Sequence, residues 1–235
     1  MWNRAELKAR GKFAFRANYW RCVIVALIMT ILFSGGAARG AQQAGSGDVN
    51  INFNGGPLIE FDSLPPAVTG AIIAGVAVGG VIGIIIAVFL LNPLNVGGQR
   101  FFIVNAKEPA ELNELGWPFK NCYGNVVKTM LLTDVYVILW SLLFIIPGII
   151  KGYAYMMVPY ILAENPSLDA NEAITISRRM MDGNKWKAFV FDLSFILWDI
   201  ASVFTLGVLG IFYVGPYKFA SKAELYYAIK AQAGY

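Results

Sequence analysis

Long apolar runs alternate with charged stretches along the chain, and their lengths decide its class. Tyr19 to Ala38 and Ala67 to Leu94 each reach the roughly 20 residues that a helix needs to cross a bilayer. Val126 to Ile146 ends in Pro147-Gly148 and resumes at once as Ile149 to Leu162. Pro and Gly interrupt a helix and let the chain reverse, so this reads as a tight hairpin. Ala188 to Thr205 meets Leu206-Gly207 and resumes through Val208 to Tyr217. The pattern predicts an all-α bundle of about six spans in three hairpins, the fourth and sixth spans being short. Four spans with two re-entrant or interfacial segments is the alternative. The first run is read as a span, because a long charged stretch precedes it and no small-x-small cleavage site follows a short apolar core.

Each hairpin is preceded by a short amphipathic stretch: Trp2 to Arg16, Pro109 to Asn121 (interrupted by Pro118), and Leu168 to Met181. Such helices lie in the membrane interface. The units also resemble one another. Gly124-Asn125-Val126-Val127-Lys128 is matched by Gly183-Asn184-Lys185-Trp186-Lys187, and Asn18-Tyr19-Trp20-Arg21 echoes both. Asp134 and Asp192 each stand four residues before an Ile-Leu-Trp, and Pro159-Tyr160 is answered by Pro216-Tyr217. We read three tandem parallel repeats in one membrane domain, 1–104, 105–166 and 167–235. The loop 39–66 departs from the plan. Val49 to Phe53 alternates apolar and polar, Asn54-Gly55-Gly56 is a turn signal, and Leu58 to Phe61 can return as a small β-hairpin.

Composition narrows the class further. Hydrophobic residues make up 57% of the 235 and charged ones 14%, about half the usual share for a soluble domain. So few charges cannot cover a soluble surface. There is no histidine, hence neither the commonest metal ligand nor the commonest general base, and two cysteines are too few for a disulfide scaffold. Both thiols are expected free, with no cofactor and no metal. Lys and Arg crowd the N-terminal stretch, the segment between the second and third runs, the stretch before the fifth, and the C-terminus. The segment 39–66 has one Arg against Asp48, Glu60 and Asp62. Both termini are therefore expected in the cytoplasm and the loop outside. The net charge of +4 then serves topology and attraction to anionic lipid, not nucleic acid.

A series of motifs carries a family resemblance. Trp2-Asn3-Arg4-Ala5-Glu6-Leu7-Lys8, the Asn-Tyr-Trp corner and Ile146-Pro147-Gly148-Ile149 come first. Tyr160-Ile161-Leu162-Ala163-Glu164-Asn165-Pro166 and the stretch from Ala173 through Ser177-Arg178-Arg179-Met180-Met181 to Gly183 complete it. Over nearly the whole chain, this string resembles the bacterial integral membrane proteins known as domain of unknown function 975, common in Gram-positive bacteria. The resemblance implies a polytopic plasma-membrane protein and brings no activity or catalytic residue with it.

Charge inside a span is costly, which singles out three acids. Asp134 and Asp192 lie a few residues past boundary lysines, and the bland reading has them cap or pair with Lys128, Lys187 or a neighbouring helix. Asp199 lies deeper and on the face of Asp192. With Lys151 as a candidate partner, the three form a candidate polar pathway, although snorkelling to the outer surface is the leading expectation for Lys151. Ala71, Gly75, Gly79, Gly83 and Ala87 place a small residue at every fourth position of the second span, a face for close packing within or between protomers. Trp20, Trp117 and Trp186, with Lys187, Arg178 and Arg179, are the expected interfacial anchors. Glu164, Asp169, Glu172 and Asp182 are expected to cluster on the cytoplasmic side. The leading expectation is a non-enzymatic conduit for ions or small solutes. A scaffold that binds lipids or partner proteins, as an oligomer, comes second, and a lipid-modifying enzyme third.

Overall fold

The structure, a computed structural model, describes residues 2–43 and 65–235. All of its regular elements are helical, and the described residues contain no strand. The expected β-hairpin of loop 39–66 lies outside them. Helix α1 (Arg4–Ala17) starts where the Asn3 side chain accepts from the Ala5 amide at 3.0 Å, a side-chain N-cap. At Asn18 the chain turns by 107° into α2 (Tyr19–Gln43). Helix α3 (Pro66–Ile86) passes through a π-helical turn, Ala87–Leu91, into α4 (Asn92–Asn105). The stretch Pro109 to Asn121, expected as an amphipathic helix, is instead a 3-10 turn, Leu112–Gly116, and the single turn α5 (Trp117–Lys120). The second hairpin comprises α6 (Tyr123–Leu143), α7 (Ile145–Tyr155) and α8 (Val158–Glu164). Helix α9 (Ala170–Met180) follows, capped by the Asp169 side chain on the Asn171 amide at 3.0 Å.

The fifth run departs from the pattern. It is not one span but two short helices, α10 (Lys185–Leu193) and α11 (Ile196–Phe204), parted at Ser194-Phe195. The Ser194 hydroxyl there donates to the Phe191 carbonyl at 2.5 Å, a local bond that competes with the helix ladder. The sixth run does not stop at Tyr217. It continues through a π-helical turn, Gly210–Val214, into α12 (Gly215–Ala233).

One cause shapes all three returning arms. Pro93, Pro159 and Pro216 stand in the first turns of α4, α8 and α12, each just after a π turn or an open turn. A proline ring lacks the N–H that would continue the ladder and clashes with the preceding turn, so the helix widens or breaks there.

Three helical segments are long and apolar enough to cross a membrane: Ala67–Asn105, Tyr123–Leu143 and Ile145–Glu164. A fourth is added if the bent pair Arg4–Ala17 and Tyr19–Ile31 is one span. The core lies where α1, α4, α8, α9 and α12 meet, around Phe15, Phe101, Phe102, Leu162, Met180 and Tyr226. The hairpin tips are the opposite: Leu142 is 83% exposed, Phe204 83% and Leu206 95%. A packed base carrying bare apolar tips is what insertion into lipid requires.

Candidate functional site

The acids of the expected polar pathway all lie in the second and third hairpins, and their partners come from neighbouring helices, not from Lys128 or Lys187. Asp192 at the end of α10 forms an ion pair with Lys222 of α12 at 3.0 Å, and the Tyr153 hydroxyl donates to its other oxygen at 3.2 Å. Asp199 pairs with Lys218, one turn earlier on α12, at 3.2 Å. Asp134 accepts from the Asn92 amide at 2.7 Å. Two Lys-Asp rungs thus cross between α10–α11 and α12. Lys218 and Lys222 belong to the basic C-terminal stretch that the apolar pattern places beyond the last span. Because α12 does not break, they stand four apart on one helix face.

Lys151 is not a rung. Its ammonium lies 4.5 Å from the centre of the Trp140 ring and faces a groove of about 390 Å³ shared with Thr175, Arg178, Arg179, Asp182 and Lys185. It approaches the charged end of α9. Asp182 meets Lys185 at 3.8 Å across the mouth. Lys151, Arg178 and Arg179 have no carboxylate within 4.0 Å among the described residues.

A second cavity, of about 520 Å³, lies beside the Asp199 rung and is lined by Thr30, Ser202, Ile211 and Lys218 among others. On the opposite side of the core, Glu164 is held by Lys230 and by the Tyr226 hydroxyl at 2.7 Å. Arg100 ties three elements together: Glu114 at 2.6 Å, the Ala163 carbonyl at 2.6 Å, and the Trp117 ring at 3.7 Å. Trp117 is thus half-buried under a guanidinium and is no free anchor. Trp20 and Trp186 are 68% and 72% exposed, and Lys187 lines a cavity with Trp2, Arg4 and Trp186. The four acids expected to cluster do not. Glu164 is bound to α12 and Asp169 caps α9, and no group of three acid or thiol ligands occurs among the described residues. Cys22 is a buried free thiol and Cys122 an exposed one.

The small-residue stripe of α3 is open. A Cβ added at Gly75, Gly79 or Gly83 would meet nothing within 4 Å, and Ala71 is exposed. The stripe does not pack against the described part of its own chain.

Three asparagines, not chosen as site residues, organise the corners. Asn18 donates to the Ala110 carbonyl and to Asn105, both at 2.8 Å. Asn125 donates to the Pro166 and Leu168 carbonyls, both at 2.7 Å. Asn184 donates to the Met180 carbonyl at 3.1 Å and accepts from the Trp2 indole at 3.3 Å. The repeated Gly-Asn and Asn-Tyr-Trp text was the signal for them.

No curated protein and no solved structure matches the chain. Residues 120–233 match the profile of a family described as "Protein of unknown function (DUF975)". The match takes in the second and third hairpins, with both rungs and the Lys151 groove, and leaves the first hairpin outside. It is narrower than the resemblance carried by the motifs. Over these residues, just under half of its length, the chain is similar to this family of unknown function.

Proposed function

We propose that this is a multi-pass protein of the bacterial plasma membrane that acts as a non-enzymatic scaffold, holding lipids and partner chains. The observation that carries this reading is the pairing of the third hairpin's acids with lysines of α12. A pathway for ions needs charges free to exchange partners, whereas Asp192 is engaged by both Lys222 and Tyr153. The three-unit organisation belongs to the same proposal. It is supported by the corner asparagines, since Asn18 and Asn125 each tie the start of a hairpin to the loop that ends it. The three prolines of the returning arms support it as well. Both termini are assigned to the cytoplasm and loop 39–66 to the exterior, on the distribution of Lys and Arg.

The conduit remains as a second reading, favoured by the cavity at the Asp199 rung, whose acid is 48% exposed. Ion flux in proteoliposomes separates the two. The scaffold predicts background flux from the native chain and from Asp199→Asn alike. A flux present in the native chain and lost in a folded Asp199→Asn variant overturns the scaffold in favour of the conduit.

A further inference from the structure

The second and third hairpins stand at a common height. Helices α8 and α12 both pack on α4 and run in the same direction, because Glu164 meets Lys230 and, one turn earlier, Tyr160 stacks on Tyr226 at 5.3 Å. Counting back from Glu164, Lys151 lies thirteen residues up the second hairpin. Counting back from Lys230, Lys218 lies twelve residues up the third. These lysines, with Asp199, therefore form one charged belt.

The belt also lies just above two polar helices. Ser177 of α9 donates to the Ala154 carbonyl at 2.8 Å, three residues below Lys151. Gly11 of α1 packs on Ser221, three residues below Lys218, where an added Cβ would stand 2.6 Å from the Ser221 Cα. Lys8 of α1 reaches the Ser194 carbonyl at 3.0 Å. Both polar helices carry exposed charge, Arg4, Glu6 and Arg10 on α1 and Glu172, Arg178 and Arg179 on α9. Such faces belong in water or among head groups, not in hydrocarbon. The belt is therefore the membrane boundary.

Above it little chain remains. The tip at Phe144 is seven residues from Lys151, and the tip at Leu206 is seven from Asp199 and twelve from Lys218. That amounts to about 10–18 Å of helix, against a hydrocarbon thickness of about 30 Å. Length and composition alone make α6 and α7–α8 look like full spans, but their lower halves are packed in the polar base. Among the residues whose side chains are described, α3 alone, with 21 residues or about 32 Å, has a bilayer's length of exposed apolar helix.

We infer that the second and third hairpins enter only one leaflet, and that the groove of Lys151, Arg178 and Arg179 holds the phosphate of a phospholipid in that leaflet. Three cations without a carboxylate partner line the groove at the height of the head groups, and Ile150 walls it on the side of the bare tip, where acyl chains lie. The assignment to the cytoplasmic leaflet rests on the orientation proposed above; the depth does not.

Cysteine labelling tests the depth. In a Cys122→Ser background, Phe144→Cys and Leu206→Cys are treated with an impermeant maleimide on intact cells and after lysis, beside Ser46→Cys in the loop. The inference expects both tips to stay unreactive in both conditions while Ser46→Cys reacts on intact cells. A tip that reacts at the exterior overturns it. If Ser46→Cys reacts only after lysis, the orientation is wrong, and unreactive tips still support the one-leaflet depth. Phospholipid retained through detergent purification tests the groove. Lys151→Gln with Arg178→Gln and Arg179→Gln should weaken retention of phosphatidylglycerol by about a hundredfold while leaving the melting temperature in place. Unchanged retention overturns the site. Stabilisation of the delipidated protein by inorganic phosphate alone, without lipid rebinding, would assign the groove to a free phosphate and overturn the lipid.

Discussion

Gly11, Gly97 and Gly98 lie where helices touch, while Gly75, Gly79 and Gly83 of α3 lie where no described residue comes near. An added Cβ at Gly97 would press on the carbonyl oxygen of Leu115, with the carbonyl carbon at 2.8 Å and the Cα at 3.0 Å. At Gly98 it would strike the Met29 side chain, and at Gly11 the Ser221 backbone. The packed glycines follow no four-residue spacing, whereas the regularly spaced ones pack on nothing described. Spacing marks a face that another helix can approach closely; it does not say that the chain supplies that helix.

The sharpest break of this comparison is Gly97→Ala. The obstacle is backbone in a 3-10 turn, which cannot rotate aside as a side chain does. We expect a loss near the upper end of overpacking costs, about 3 kcal/mol, read as a lower melting temperature in detergent. Gly98→Ala should cost less, because the Met29 thioether has three rotatable bonds with which to retreat. Equal losses at the two positions would mean that the Leu115 turn yields as easily as a methionine.

What the sequence made legible follows the same division. Local chemistry was readable: the corners held by Asn18, Asn125 and Asn184 follow from the repeated residue types and their spacing. Partners across the fold were not. Lys218 and Lys222 looked like cytoplasmic topology charges because the apolar run ends near Tyr217, yet α12 continues without a break and turns them towards the aspartates. The break at Ser194-Phe195 left no Pro or Gly to announce it. Lys151 was expected at the outer surface because hairpin length was equated with bilayer thickness. Burial of the lower hairpin against α9 is a tertiary fact that hydropathy does not carry.

A smaller effect concerns the packed side alone. Glu224 is buried on α12 one turn below Ser221, where α1 closes on Gly11. Burial pushes its carboxyl above the usual range, and the nearby Arg10 only partly opposes that. A carboxyl whose pKa is raised in the fold is most favourable when protonated. Its contribution is complete below the pKa of the unfolded chain and is lost as pH rises through the folded value. Glu224→Gln should therefore melt higher than the native protein at pH 8, with the difference closing by pH 4. A variant that melts lower at pH 8 would show that Arg10 outweighs burial.

The smallest effect is expected on the open side. Gly79→Leu adds a side chain where nothing described lies within 4 Å and replaces a poor helix former inside α3. Two consequences then come apart. The fold of the single chain should change by no more than about 0.5 kcal/mol, the usual range for a surface position, seen as an unchanged melt of the detergent-solubilised monomer. If the stripe meets a second copy, the same leucine holds the two helices apart, and cross-linked dimer in membranes falls although the monomer is intact. Loss of monomer stability with Gly79→Leu would instead erase the contrast between the two sets of glycines, because it would require a contact to α3 from within its own chain. Measuring both quantities on one variant therefore separates a face that awaits a partner from one that meets only lipid.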